Sequence, residues 1–150
     1  MTYGELHDAL SPIGADVLIK TLYAIEEGSA PREKQVDSGS CYAPMISRET
    51  GHIDFSKNSK EILNLIRGMN PYPMSYCKYG ETDLKIIKAH PGGNLGCAEG
   101  TAVVNNKSIS VACGDGKSIV IDELQFKGGK RMTVESYLNG HDFESGIILR

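Results

Sequence analysis

The first 27 residues carry a helical pattern of apolar positions. Large aliphatic residues recur every three or four positions from Leu6 to Ile25 and form one stripe. A capping box that starts at Thr2 predicts where the helix begins, and Gly28 predicts where it ends. Pro12 lies inside this pattern, and proline fits a first helical turn better than an interior, so we expect a kink or two helices in tandem.

Residues 29–52 have a different character, because they are rich in Gly, Ser, Pro and charged residues and show no sustained period. Compact domains seldom contain loops of this length. The composition therefore predicts a linker that runs along a surface and connects two domains.

A second helix is predicted after the linker. Asn58 begins a capping signature, the segment from Ile62 to Ile66 supplies an apolar face, and Gly68 marks the end. The segment 70–73, with the sequence NPYP, then predicts a rigid, extended turn, because each proline biases its predecessor away from the helical region.

From residue 74 onward the apolar pattern changes to a period of two. Five short runs predict β-strands, at 75–79, 84–89, 100–104, 108–113 and 117–125, and the stretches between them, including 91–94, contain turn-forming residues. A short helix is predicted at 133–138, and the apolar run 147–149 is expected to pair with the sheet. The pattern predicts an α+β fold for residues 53–150: a small antiparallel β-barrel of the OB type, or a similar sandwich, with a packed helix, preceded by a helical segment (1–28) and the linker.

The composition of the chain argues against a membrane-spanning protein, a secreted protein and a metal-binding protein. The chain has 150 residues and a net charge of −3, with no apolar run near the roughly 20 uncharged residues that span a bilayer. The amino terminus is acidic and amphipathic, unlike a signal peptide, so we expect a cytoplasmic protein with no membrane partner. The four cysteines and four histidines are dispersed without a C-x-x-C pair, which disfavours a metal site.

The charge is unevenly distributed along the chain. Residues 1–40 hold seven acidic and three basic residues, whereas residues 41–150 hold twelve acidic and thirteen basic residues. The predicted barrel region is therefore nearly neutral. A nearly neutral domain is compatible with weak RNA binding through one basic face, and it disfavours a strong, independent RNA binder.

No catalytic residue is predicted. The stretch 116–118 ends like a Walker A motif, but Val111 occupies the position of the first glycine and a strand follows, which favours a hairpin turn. No Ser lies in a G-x-S-x-G motif, and the adjacent acids Asp122 and Glu123 point to opposite faces of a predicted strand. Asp54 is expected to cap the second helix or to pair with Arg67.

The distribution of basic residues indicates nucleic-acid binding more strongly than any motif indicates catalysis. They flank the second helix, the first two strands and the 128–132 loop, and three tyrosines (72, 76 and 79) lie among them. OB-type surfaces bind nucleic acid with such mixtures, cations for phosphates and rings for bases or sugars, although lysines on strands also simply solvate an outer face. The candidate RNA-binding residues are Arg48, Lys57, Lys60, Lys78, Lys85, Lys88, Lys130 and Arg131.

Several motifs resemble the carboxyl-terminal portion of the methionyl-tRNA formyltransferases. They occur in the same order as in that family and comprise GELHD (4–8), YAPMIS (42–47), HIDFS (52–56), LIRGMNPYP (65–73), GDG (114–116) and GKRM (129–132). Within them, we expect structural roles for Asp54, Arg67, Asn70, Pro71 and Pro73.

The resemblance implies that two domains of the enzyme have different functions. In that family an N-terminal domain transfers a formyl group from 10-formyltetrahydrofolate to initiator methionyl-tRNA, and an OB-like C-terminal domain helps to hold the tRNA. Residues 1–28 then correspond to the last helices of the catalytic domain, whose catalytic Asn, His and Asp and S-L-L-P segment have no counterpart here. We expect this fragment to bind no cofactor and to be inactive alone, with initiator methionyl-tRNA and the N-terminal catalytic domain as its partners.

Two alternatives remain open on the sequence. The chain is also compatible with a C-terminal structural or dimerisation domain of an amino-sugar formyltransferase or a folate hydrolase, or with a stand-alone RNA-binding module. The apolar stripe of the first helix needs a covering surface. We expect it to fold back onto the barrel or to pair with a second copy of the chain.

Overall fold

A computed structural model describes all residues from 1 to 150. The first element, α1 (Tyr3–Glu26), is one continuous helix. It begins at the predicted capping box and is followed by Gly28, whose φ of 71° is left-handed. The expectation of two helices in tandem is wrong: Pro12 removes one internal hydrogen bond, and the helix continues past it to Glu26.

Helix α1 leaves its apolar stripe uncovered. No residue of α1 is buried, and Leu10, Val17 and Leu22 are 53%, 55% and 57% exposed. Its first turn is tied to the rest of the chain by the Gly4 amide, which donates to the Asn70 carbonyl oxygen at 3.1 Å. The expectation that the stripe folds back onto the barrel is therefore wrong, while pairing with a second copy stays a prediction.

The segment between α1 and the sheet is extended and exposed. It contains two single 3₁₀ turns, Asp37–Gly39 and Glu49–Gly51, and residues 31–50 are all exposed. The chain joins the barrel at His52, which forms a parallel bridge with Tyr76.

Helix α2 (Ser59–Gly68) begins and ends where the sequence predicts. Asn58 and Glu61 form its capping box, and Ile62 and Ile66 are buried against the sheet. At its first residue the Ser59 hydroxyl donates to Asp115 Oδ2 at 2.9 Å, which links the helix to the turn that precedes the fifth strand.

The sheet confirms the five predicted strands and adds a sixth. The strands are β1 (Ser75–Tyr79), β2 (Thr82–Asn94), β3 (Ala102–Asn105), β4 (Ser108–Ala112), β5 (Lys117–Phe126) and β6 (Met132–Thr133), and helix α3 (Val134–Leu138) follows β6. The order is β1-β2-β5-β4-β3 with antiparallel pairing throughout, and β6 pairs with β5.

The predicted turn at 91–94 is instead the end of β2. Gly92 lies so close to β5 that a Cβ there would stand 2.2 Å from Ser118 Oγ. The same hydroxyl donates to the Gly93 carbonyl oxygen at 2.8 Å. The glycines therefore permit close strand approach, with a register irregularity between Pro91 and Asn94, rather than a turn.

The carboxyl-terminal segment connects the two edges of the sheet. The backbone of Arg150 exchanges two hydrogen bonds with Lys78 on β1, while Leu149 donates to the Gly100 carbonyl oxygen and Ala102 donates to that of Ile147, each at 2.9 Å. The terminal segment thus bonds to both edges of the sheet, which confirms the predicted pairing of 147–149. The core includes Ile53, Ile62, Leu84, Ile86, Ile109, Val111, Ile119, Ile121, Leu124 and Leu149.

Candidate nucleic-acid interface

The candidate site lies on the outer face of β1, β2 and β5. Tyr76 is the cross-strand partner of Lys85, and Lys85 is the partner of Gln125, so three polar side chains form a row across the sheet. Their neighbours Leu84 and Leu124 are buried in the core. Because side chains alternate along a strand, the row faces away from the core.

This row forms the floor of a groove with a volume of about 390 Å³. Three cations, Arg48, Lys85 and Lys127, line the groove together with one carboxylate, that of Asp83. Tyr72, which is 77% exposed, stands at its edge. The complete lining is Arg48, Tyr72, Pro73, Tyr76, Asp83, Lys85, Gln125, Phe126, Lys127 and Gly128, and we call this surface the sheet groove.

Asp83 is the acidic centre of the sheet groove. Arg48 Nη2 lies 2.7 Å from Asp83 Oδ2, and Lys78 Nζ lies 2.5 Å from Asp83 Oδ1. The hydrogen bond from Lys78 and the positive charges of Lys78, Arg48 and Lys127 lower the pKa of Asp83, outweighing the burial that raises it. The carboxylate is therefore ionised at neutral pH and holds two cations beside the groove.

Arg48 is fixed in orientation although it belongs to the exposed segment. Its guanidinium carbon lies 5.3 Å from the centre of the Tyr76 ring, and His52 contacts the same ring edge-on with 5.3 Å between ring centres. The side chain remains 65% exposed. Arginine has five N–H donors, so donors beyond the one used by Asp83 remain for an incoming anion.

The structure distributes the eight predicted RNA-binding residues over several surfaces. Arg48 and Lys85 line the sheet groove, and Lys78 adjoins it through Asp83. Lys57 and Lys60 lie beside and on α2, Lys88 and Arg131 line a separate concavity, and Lys130 is exposed in the loop before β6. Arg131 is also paired with Glu123 at 2.5 Å.

Lys127 and Gln125 also line the groove, although the sequence pattern does not single them out. Lys127 follows β5 directly, and its amide donates to the Asp83 carbonyl oxygen at 3.0 Å, which holds it beside the start of β2. The sequence signal that could have found it is its place in the same basic loop as Lys130 and Arg131. Local sequence patterns do not predict the strand order that brings β5 next to β2.

Asp54 has a different role from the one expected. It accepts hydrogen bonds from the Ser56 hydroxyl at 2.6 Å and the Ser56 amide at 3.0 Å, and these bonds lower its pKa. It neither caps α2, which Asn58 does, nor pairs with Arg67, which donates to Asn64. Arg67 lies in the last turn of a ten-residue helix about 15 Å long, so it is out of reach.

The Asn-Pro-Tyr-Pro segment ties three elements together. Asn70 Nδ2 donates to the Ile87 carbonyl oxygen on β2 at 3.0 Å, while its own carbonyl accepts from Gly4 of α1. Pro71 packs against Gly4, where a Cβ would stand 2.9 Å from the proline Cδ. Pro73 lines the sheet groove. The segment thus contacts α1, β2 and the sheet groove, and the structural roles of Asn70, Pro71 and Pro73 stay predictions.

The buried thiols and the metal-ligand residue types add no further candidate site. Burial raises the pKa of the Cys77 thiol to about 12 and that of Cys113 to about 11, so both are protonated at neutral pH. No group of three His, Cys, Asp or Glu side chains is arranged to hold a metal ion. No helix is long and apolar enough to cross a membrane.

Comparison with known proteins gives a family match. The family described as formyl transferase, C-terminal domain, matches residues 45–142. The methionyl-tRNA formyltransferase of Clostridium novyi is 42% identical over 152 residues, covering 100% of this chain and 49% of the relative. That of Geotalea uraniireducens is 41% identical, covering 97% and 46%. The chain thus spans about half the length of the curated relatives it matches.

Solved structures show the same fold at low identity. One structure of HypX from Aquifex aeolicus has a TM-score of 0.58 and 16% identity, covering 83% of this chain and 23% of HypX. HypX in complex with tetrahydrofolic acid has a TM-score of 0.56 and 14% identity, covering 83% and 22%. At such identity the likeness concerns the fold alone.

Proposed function

The chain belongs to the family of formyl transferase C-terminal domains, and from this premise we propose that it is the tRNA-positioning part of a methionyl-tRNA formyltransferase. The observation that carries the proposal is the sheet groove. It places Arg48, Lys85 and Lys127 beside two tyrosine rings on one face of an OB-like barrel.

The groove suits the nucleic-acid backbone. Its three cations neutralise phosphates, and Tyr72 and Tyr76 offer ring surfaces for bases or sugars. The chain has a net charge of −3, so attraction is local to this face. The binding is therefore weak, dependent on salt, and independent of base identity, which suits a surface that positions a tRNA whose reacting end lies elsewhere.

The reaction itself belongs to the whole enzyme. In this proposal the N-terminal domain transfers the formyl group from 10-formyltetrahydrofolate to initiator methionyl-tRNA, and the present chain alone is inactive. We propose the sheet groove as a contact surface for RNA, and no step of the folate chemistry is assigned to its residues.

The proposed organisation follows the elements of the chain. Residues 1–28 are the closing helix of the catalytic domain, residues 29–52 are the linker, and residues 53–150 are the OB-like domain. The partners are initiator methionyl-tRNA and the N-terminal domain, and a substrate of protein synthesis implies the cytoplasm. The amino-sugar, folate-hydrolase and stand-alone alternatives are not favoured, because methionyl-tRNA formyltransferases match along the whole chain.

The test compares two pairs of lysines in binding initiator tRNA by fluorescence anisotropy at low salt. The groove variant carries Lys85→Gln and Lys127→Gln, and the control variant carries Lys57→Gln and Lys60→Gln beside and on α2. Both variants remove two positive charges from exposed positions. We expect the groove variant to bind much more weakly than the control variant. Equal losses would contradict the groove as the contact surface, and no binding by the unmodified chain would contradict the RNA role.

A further inference from the structure

We propose that Asp83 is a positioning residue for RNA binding, which holds the Arg48 guanidinium at the sheet groove although its own charge repels phosphate. The inference rests on the proposed function and deepens it. It concerns how the exposed segment before the barrel supplies a cation to the barrel surface.

Arg48 comes from a segment with little other anchorage. Residues 31–50 are all exposed, and the side chain of Arg48 has one hydrogen-bond partner, Asp83, and one aromatic contact, Tyr76. An exposed arginine without such contacts samples many rotamers, and binding a ligand then costs the conformational entropy of fixing one of them. The contact with Asp83 fixes the rotamer before any ligand arrives.

Asp83 is itself held firmly. Its side chain is 11% exposed, it pairs with Lys78 across β1 and β2, and its carbonyl oxygen accepts from the Lys127 amide. Each carboxylate oxygen serves one cation: Oδ2 accepts from Arg48 and Oδ1 pairs with Lys78. The carboxylate is therefore a rigid anchor with a defined place for the guanidinium.

Whether removal of the Asp83 carboxylate weakens or strengthens RNA binding distinguishes a positioning role from a purely electrostatic one. A carboxylate beside a phosphate site repels phosphate, so its removal would strengthen RNA binding if charge alone mattered. If Asp83 positions Arg48, its removal weakens binding although the protein becomes more positive. A purely structural role would weaken binding whether or not Arg48 is present.

The experiment is a double-mutant cycle on initiator tRNA affinity at low salt, with Asp83→Asn and Arg48→Gln alone and together. We expect Asp83→Asn to weaken binding by about fivefold in the unmodified background and to cause no further loss in the Arg48→Gln background. The control is Glu81→Gln, which removes a charge from an exposed turn residue and is expected to leave the affinity unchanged or slightly increased.

Circular dichroism and urea denaturation check that each variant is folded. If Asp83→Asn does not fold, Asp83→Glu takes its place, since it shifts the carboxylate by one methylene with no change of charge, and the same dependence on Arg48 is expected. Tighter binding by Asp83→Asn, or an equal loss in both backgrounds, would overturn the positioning role while leaving RNA binding intact. Absence of tRNA binding by the unmodified chain would overturn the proposed function and this inference together.

Discussion

The carbonyl oxygen of Ser56 lies where a side chain on Gly114 would begin, because a Cβ at Gly114 would stand 1.9 Å from that oxygen. The Gly114 amide donates to the carbonyl oxygens of both Phe55 and Lys57, each at 2.9 Å. The turn between β4 and β5 therefore packs backbone to backbone against the segment that leads into α2. The predicted hairpin turn therefore also makes a tertiary contact, which holds the segment 55–57 against the sheet.

We expect Gly114→Ala to destabilise the fold. The added methyl group overlaps main-chain atoms that cannot move without breaking two hydrogen bonds, so the free energy of unfolding should fall by more than about 1 kcal/mol. Gly140→Ala is the matched control, because a Cβ there meets nothing within 4 Å. Urea denaturation measures the free energy of unfolding of both variants. An equal effect of the two substitutions would contradict a stabilising role for the backbone contact at Gly114.

The packing of the terminal segment against the core can be tested with two adjacent residues. Leu149 is 2% exposed, whereas Ile148 is 49% exposed. We expect Leu149→Ala to lower the free energy of unfolding by about 2–5 kcal/mol, as buried leucines do. Ile148→Ala should cost less than about 1 kcal/mol. Thermal or urea unfolding checks this, and a negligible effect of Leu149→Ala would mean that the segment does not pack against the core.

The ion pairs of Asp83 predict a pH dependence of stability. The pKa of Asp83 is lowered in the folded state from 3.8 by its hydrogen bond to Lys78 and by neighbouring positive charges. Its contribution to stability is therefore present above the unfolded pKa and is lost as the pH falls through the lower, folded pKa. We expect unfolding free energies measured from pH 5 down to pH 3 to fall more steeply for the unmodified chain than for Asp83→Asn. Parallel pH profiles would show that these pairs do not stabilise the fold.

Local sequence predicted most of the elements, because caps and apolar periods are local. The capping box at Asn58, the stop at Gly68 and the period-two runs gave α2 and five strands close to their observed bounds. The end of β2 was missed because Pro91 and the glycines after it are typical turn residues. Their strand conformation depends on contact with Ser118, which is distant in sequence.

The candidate site was predictable only in part. Residue type and the nearby tyrosines pointed to Arg48 and Lys85, which do lie together. Lys57 and Lys88 belong to other surfaces, and Lys127 joins the groove because β5 pairs with β2. Which cations share a face depends on strand order, and no spacing along the chain encodes it.

Tyr72 should contribute to RNA binding through ring stacking. It is 77% exposed at the edge of the sheet groove, so Tyr72→Ala should weaken tRNA binding by about 1–3 kcal/mol, the range for one stacked base. Tyr72→Phe should retain the affinity because it keeps the ring. Tyr23→Ala on α1, where the ring is 63% exposed, is the control and should have no effect in the same anisotropy assay. Equal affinities for Tyr72→Ala and the unmodified chain would rule out stacking.

The most direct test is the salt dependence of initiator tRNA binding by the 150-residue chain and by its triple variant Arg48→Gln, Lys85→Gln, Lys127→Gln. Each neutralised phosphate adds about 0.7–0.9 to the slope of log affinity against log salt concentration. We expect a slope of about −2 to −3 for the unmodified chain and a slope near zero for the triple variant. Identical slopes for the two proteins, or no tRNA binding by the unmodified chain at low salt, would contradict the sheet groove as a tRNA-positioning surface.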